Sequence, residues 1–515
     1  MGFDRIEISM SKKDIMEGQL KNFGFKHKSG VLLPVSALPN RYGIGSFGKC
    51  AFDFVDFLSE TGTKCWQVLP LNPTSYGDSP YQSPASVAGN PYYIDLDILH
   101  QKGLLTQKDL AESKHNTKRV DYGWLFFNRY PTLRKAYARF VKKGDEVVEY
   151  NRFAKANKSW IEDYALFMAL KVANDYMPWT MWQEEHKDVQ KARKLAKSMA
   201  EECGFWKWVQ FEFFTQWNAL KKYAKQKGIV IVGDMPIYVA HDSMDVWQNP
   251  SQFLLDEKYN PTVVAGVPPD AFSADGQLWG NPIYSWKTMQ NDRYDWWKNR
   301  VGQCFKLYDI LRIDHFRGFS GYYVIPAGDT TAKNGHWESA PGVELFEEIK
   351  RAYPKAKIIA EDLGVITDDV RELLTNTGFP GMKVLQFAFG NDNNEYLPRL
   401  YKNPNCVVYT GSHDSECTLS WLRALDKGSK KRLAKECPRK THSRTYDLIY
   451  LALSSPANLA VIPLQDYMEL VNEQGRINTP SKAEGNWDYR LSPAYNKGKL
   501  KDKIKDITKA TKRAK

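Results

Sequence analysis

Eight short runs of apolar and β-branched residues, each followed by a stretch that reads as helix, limit what this chain can fold into. They are Val31–Leu38, Cys65–Leu71, Gly228–Val239, Leu307–Phe316, Lys357–Gly364, Met382–Phe389, Cys406–Asp414 and Leu459–Met468. Amphipathic segments lie between them, such as Phe52–Leu58 and the set Leu345, Phe346, Ile349, Ala352 and Tyr353, whose spacing buries one helical face. Strand and helix in alternation are the sequence form of a parallel sheet, and eight such units predict an α/β fold, a (β/α)8 TIM barrel.

The spacing breaks once. Between the second and third runs stands Pro91 to Lys225, which reads as mainly helical over Trp160–Asp175, Val189–Glu202 and Trp206–Lys225. That is too long for a loop, so a large helical insertion is expected after the second strand, walling the face where barrel active sites sit. No linker sets off a separate C-terminal β-domain. The expected organisation is an N-terminal extension (1–24), a barrel (25–90 and 226–495), a helical inserted subdomain (91–225) and a basic C-terminal tail (496–515).

Lys plus Arg (72) exceed Asp plus Glu (60), a net charge of +12, but the excess is spread thinly. Its one dense block, Lys497 to Lys515, lacks interleaved aromatics and reads as a solvated terminal helix or frayed tail rather than a nucleic-acid arm. The seven cysteines are odd in number, dispersed and never spaced C-x-x-C, which fits a reducing compartment. Neither an apolar leader at the N-terminus nor a bilayer-spanning run is present, so a cytoplasmic protein is expected, with no membrane and no nucleic acid among its partners.

Four of the runs end on chemically capable residues: Asp234, then Arg312-Ile313-Asp314-His315, Glu361-Asp362, and His413-Asp414. In a barrel these strand ends converge on one mouth, whereas a solvated surface acid has no reason to end a buried strand. Paired carboxylates suit glycoside chemistry, one as nucleophile and one as proton donor and acceptor. Arg312 projects to the same side of its strand as Asp314 and is expected to lower that carboxyl's pKa. Glu361 must instead hold a proton near neutral pH, which burial or a neighbouring carboxylate provides. His315 and His413 flank acids, yet no H-x-x-x-H or Cys/His cluster accompanies them, so no metal and no cofactor are expected. The sequence Gly43-Ile44-Gly45-Ser46-Phe47-Gly48 matches G-x-G-x-x-G, but Pro39 to Tyr42 separate it from the first run and no acid closes the second. It reads as a loop at the substrate mouth rather than a dinucleotide site. A carbohydrate-binding protein without activity is disfavoured because all three carboxylates Asp314, Glu361 and Asp414 are present.

These segments, together with Asp78-Ser79-Pro80-Tyr81-Gln82-Ser83-Pro84, Gly266-Val267-Pro268-Pro269-Asp270-Ala271-Phe272-Ser273, Gly276–Pro282 and Gly485-Asn486-Trp487, resemble the amylomaltase or disproportionating-enzyme family of 4-α-glucanotransferases. The likeness runs from about Gly30 to about Arg490. It implies a member of the α-amylase superfamily that moves α-1,4-glucan segments from donors to glucose or malto-oligosaccharide acceptors through a covalent glucosyl-enzyme. By motif position the resemblance makes Asp314 the nucleophile, Glu361 the acid/base and Asp414 the transition-state carboxylate. It implies substrate contacts from Tyr81, Tyr122, Asp234, Trp279, Arg312, His315, His413 and Asn486, with Gly266–Ser273 as a flexible loop over the acceptor side. Trp279 is expected in a loop that lines the cleft. Departures from the family pattern are Ser412 and Ser415 around His413-Asp414, Asn478-Thr479-Pro480-Ser481, and Asp488-Tyr489-Arg490.

Overall fold

The computed structural model describes residues 25–75, 77–144, 146–269 and 273–514; the expected N-terminal extension lies outside them. Each of the eight runs supplies a parallel strand: β1 (Lys28–Leu32), β2 (Cys65–Gln67), β3 (Val230–Met235), β4 (Ile310–Ile313), β5 (Ile358–Ala360), β6 (Gly381–Val384), β7 (Cys406–Tyr409) and β8 (Leu459–Pro463). They hydrogen-bond in the order β6-β7-β8-β1-β2-β3-β4-β5, so each strand lies beside its neighbours in sequence. The ring closes between β5 and β6 without a ladder. Across that seam Ala360 N donates to Pro380 O at 3.0 Å, and Met382 N donates to the Asp362 carboxylate at 2.6 Å.

The strands are shorter than the runs that announce them. The run Gly228–Val239 outlasts β3 because Ile237, Tyr238 and Val239 are buried in the loop at the mouth, where apolar residues are also required. Inside the barrel Tyr409 Oη donates to Gln67 Oε1 at 2.9 Å, both side chains being buried. Gly233 admits the ring of Tyr308, which a Cβ would meet at 2.0 Å, and the hydroxyl of Tyr308 accepts Leu71 N at 3.1 Å. One missing side chain thus fixes the strand that carries Asp234.

The stretch after β2 is helical, with long helices over Tyr122–Lys143, Lys158–Ala173 and Ala200–Gln226. The helix expected over Val189–Glu202 is instead two short pieces, Val189–Arg193 and Lys194–Lys197, ahead of the long one. Trp206, Trp208, Phe213 and Trp217 of Ala200–Gln226 are buried, each contributing roughly 1.5–3 kcal/mol of apolar transfer. Polar pins set its register against the barrel. Gln210 exchanges two hydrogen bonds with the backbone of Gly89, Gln216 Oε1 accepts Asp95 N at 2.7 Å, and Trp217 Nε1 donates to Leu307 O at 3.0 Å.

A second, antiparallel sheet was not expected. Val263–Val267 pairs with Gln277–Pro282 and Gly321–Pro326, and the last pairs with His336–Ser339. Trp279 therefore stands on a strand rather than in a loop. Of the expected flexible loop, Gly266 and Val267 belong to this sheet, whereas Asp270, Ala271 and Phe272 lie outside the described residues. Among the described residues no helix is long and apolar enough to cross a membrane.

The basic tail forms a helix, Leu500–Ala510, with Asp502, Lys505, Asp506 and Lys509 in solvent, but its other face is docked. It packs against helix Lys49–Glu60 and buries Ile504, Ile507 and Thr508 on one face. Arg513 beyond it is completely buried and donates to Lys28 O at 2.8 Å, Ser455 O at 2.8 Å and Ala457 O at 3.0 Å. Lysine density concealed this apolar stripe. Replacing Arg513 by Met leaves those carbonyls unpaired and is expected to cost about 3 kcal/mol, read as a lower urea midpoint with an unchanged slope. An unchanged midpoint would show that the tail does not brace the barrel.

Candidate active site

Backbone hydrogen bonds run past the strand ends and carry the carboxylates with them. Asp314 N donates to Met235 O, Glu361 N to Ile313 O and Phe316 N to Glu361 O, each at 3.0 Å. The Cα atoms of Asp314 and Glu361 are thereby set by β3, β4 and β5 rather than by free loops. His315 adopts a left-handed backbone with φ 49°, unusual for a residue with a side chain. That turn points His315 N at Glu361 Oε2, 2.6 Å away, while Leu363 N donates to Oε1 at 3.0 Å.

Arg312, only 2% exposed, is the hub. Its Nη1 donates to both oxygens of Asp234 at 2.7 and 2.6 Å, and its Nη2 stands 3.0 Å from Asp314 Oδ1 and 4.0 Å from Glu361 Oε2. Tyr81 Oη donates to Asp234 Oδ2 at 2.8 Å and lies 2.8 Å from His413 Nε2, with the two rings stacked at 5.3 Å. His413 Nε2 is also 3.2 Å from Asp414 Oδ2. Burial first, then the charge of Asp234, pushes the Tyr81 phenol up, so it remains a neutral donor.

The two central carboxyls separate in proton affinity. Burial, followed by the charge of Asp314, pushes Glu361 up to about 8 against the opposing pull of Arg312. Asp314 is not lowered, as Arg312 alone would have it, but raised to about 6. Burial is the largest cause, and Asp234 and Asp414 add to it. The guanidinium that was expected to stabilise Asp314 is largely committed to Asp234. Between about 6 and about 8 the pair is thus one carboxylate and one carboxylic acid, Asp314 ionised and Glu361 protonated.

Asp414 behaves differently. Burial opposes its ionisation, but His413, the Asn478 hydrogen bond and Arg312 outweigh it and hold the carboxyl below the usual range. Burial likewise works against a charged His413, yet Asp414 prevails and raises that ring. Asn478 Nδ2 donates to Asp414 Oδ1 at 2.6 Å, a contact absent from the residues singled out in the sequence. Trp487 was also missed, and its ring lies 5.5 Å from Tyr81 and 6.1 Å from His413. Both residues stand in the C-terminal motif segments, Asn478 in the one noted for its departures. Ser412 and Ser415 stay local: Ser412 Oγ accepts Asp414 N at 3.2 Å, and Ser415 Oγ accepts Ser412 N at 2.9 Å.

The remaining candidates divide. Trp279 meets His315 edge-on at 4.8 Å, and burial pushes the His315 ring down to about 3, leaving it neutral. Gln82 and Asn281 exchange hydrogen bonds at 3.0 and 3.2 Å, tying the Tyr81 loop to the strand that carries Trp279. Tyr122 is buried and its hydroxyl donates to Trp487 O at 3.1 Å, which ties it to the backbone of Trp487 rather than to a carboxylate. Asn486 spends its amide on its own loop, accepting Thr479 N and donating to Lys482 O, both at 2.8 Å.

With this geometry in hand, similarity to known proteins is decisive. The 4-alpha-glucanotransferase family model matches residues 33–496. The chain belongs to the 4-alpha-glucanotransferase family. A 4-alpha-glucanotransferase of Clostridium butyricum is 45% identical over 483 residues, 92% of this chain and 98% of that protein. The Thermus thermophilus 4-alpha-glucanotransferase is 44% identical, covering 94% of this chain and 98% of its own length. The amylomaltase of Streptococcus agalactiae, solved in complex with acarbose, superimposes with a TM-score of 0.91 at 38% identity, covering 95% of this chain and all of that one. The protein is accordingly an enzyme, a glycosyltransferase of the 4-alpha-glucanotransferase type.

For a 4-alpha-glucanotransferase with this site, kcat/KM should follow a bell in pH. With Asp314 and Glu361 as the reacting pair, it should fall below about 6 as Asp314 takes up a proton and above about 8 as Glu361 loses one. Initial rates on maltotriose across that range check it. A profile flat from pH 5 to 9, or one with a single limb, would contradict the split.

Proposed function

We propose that the enzyme transfers α-1,4-glucan segments between malto-oligosaccharide, starch or glycogen chains by a retaining double displacement. In the first step a carboxylate oxygen of Asp314 bonds to the anomeric carbon as the glycosidic C–O bond breaks, and Glu361 delivers its proton to the departing 4-oxygen. In the second step the 4-hydroxyl of glucose or a malto-oligosaccharide acceptor attacks the same carbon. Glu361 accepts that proton and Asp314 leaves as carboxylate. Asp414, kept ionised beside His413 and Asn478, steadies the sugar as positive charge develops at the ring.

The opposite protonation of two carboxyls on one guanidinium nitrogen carries this reading. Carboxyls about 5 to 5.5 Å apart leave no room for water between nucleophile and sugar, and a shared Arg312 Nη2 is consistent with such closeness. Tyr81 offers its ring to the sugar at the point of cleavage, and Trp279, held by its sheet against His315, lines the cleft. Acarbose is bound by the Streptococcus agalactiae amylomaltase, which supports an α-glucan ligand for the same cleft here. The catalytic unit is taken as residues 25–90 and 226–495, with 91–225 as the helical wall.

Transfer rather than hydrolysis follows if this wall holds an acceptor sugar over the intermediate and keeps water out. Maltotriose alone should yield glucose together with longer chains, at a constant number of reducing ends, when products are separated by chromatography. Shorter sugars only, with reducing ends rising in step, would make the protein a hydrolase.

A further inference from the structure

Asp362 follows Glu361 directly and takes no part in the chemistry above. It is buried, and a buried carboxylate is costly unless hydrogen-bonded. Its Oδ1 accepts Met382 N at 2.6 Å, across the one junction of the barrel where two strands are not laddered. Gly381 makes room for it: a Cβ there would fall 2.4 Å from the Asp362 carboxylate. On its other flank β5 is paired residue by residue with β4, Leu311 with Ile358 through Ile313 with Ala360. The end of β5, where Glu361 begins, is therefore anchored on one side by a ladder and on the other by Ala360 N to Pro380 O and this single carboxylate.

We propose that Asp362 is a positioning residue for the proton-transfer step, clipping β6 to the end of β5 so that the Glu361 carboxyl stays on the glycosidic oxygen. The inference rests on the reading of Glu361 as acid/base. Proton transfer is sensitive to placement, and a shift near 1 Å costs on the order of a hundredfold in rate. A clip that only stabilised the barrel would slow every reaction of the enzyme alike. One that serves Glu361 slows only reactions in which a proton moves.

Two donor and acceptor pairs separate these cases. Maltotriose disproportionation needs Glu361 in both steps. With α-glucosyl fluoride and azide neither step does: the C–F bond breaks as Asp314 bonds to carbon and fluoride leaves as the anion, then azide displaces Asp314 to give glucosyl azide. Asp362→Ala should lose on the order of tenfold to a hundredfold on maltotriose and stay within about twofold on fluoride plus azide. Asp362→Asn, which keeps an acceptor for Met382 N, should recover most of the loss. Gly381→Ala attacks the same contact from the facing strand and should reproduce the selectivity even if Asp362→Ala does not fold. Equal losses in both assays, or no loss on maltotriose, would overturn the proposal. Glu361→Ala is the control. Its rescue by fluoride and azide beside unselective losses in the Asp362 and Gly381 variants sinks the clip alone, whereas its failure to be rescued overturns the acid/base reading and the proposal with it.

Discussion

Everything in this site depends on one buried guanidinium. Arg312 is nearly sealed from solvent, and burying a cation is costly unless its donors are matched with acceptors. Asp234 matches two of those contacts, Asp314 a third, and the sulfur of Met382 sits at Nε. Removing either Arg312 or Asp234 would leave the other charge stranded, an effect worth about 3–5 kcal/mol in typical buried pairs. Stability and chemistry are thus bound to the same contacts. Burial first, and then the charge of Asp314, keeps the proton on Glu361 against the pull of that guanidinium.

The barrel supplies the placement that this balance requires. Asp234, Arg312, Asp314 and Glu361 come from three adjacent strands whose hydrogen bonds extend past their ends, so their separations are inherited from the sheet. Asp414 comes from the loop after β7, where placement depends on side chains instead: Asn478 on one oxygen, His413 on the other, and Trp487 behind His413. Rigid backbone holds the pair proposed to exchange bonds and protons. A packed aromatic and amide cluster holds the carboxylate proposed to answer developing charge.

Much of this was legible in the sequence. Barrel strands are covered on both faces, so they read as continuous apolar runs, and polar residues at their ends stand out against that background. The overruns at Gly228–Val239 and Leu307–Phe316 arose because the loops at the mouth are buried as well. The antiparallel sheet was missed although Val263–Val267 and Gly321–Pro326 are buried at their centres; its edge, His336–Ser339, is exposed throughout and has no apolar face to announce it. The tail was judged by its lysines, whereas Ile504, Ile507 and Thr508 at helical spacing decide where it goes. Arg312 beside Asp314 was legible, but its larger commitment to Asp234 was not, because that pairing joins residues 78 positions apart. Asn478 stood in a motif noted for its departures, and its contact with Asp414 joins residues 64 positions apart.

The central claim is a division of labour, with Asp314 forming the bond to carbon and Glu361 only moving protons. Mass spectrometry of Glu361→Gln, quenched during reaction with a glucosyl donor carrying fluoride at the anomeric carbon, tests it most directly, because that donor departs without protonation. The account predicts a glucosyl adduct on the peptide that contains Asp314, and none when Asp314 is replaced by Asn. An adduct on the Asp414 peptide, or one that survives Asp314→Asn, would contradict it.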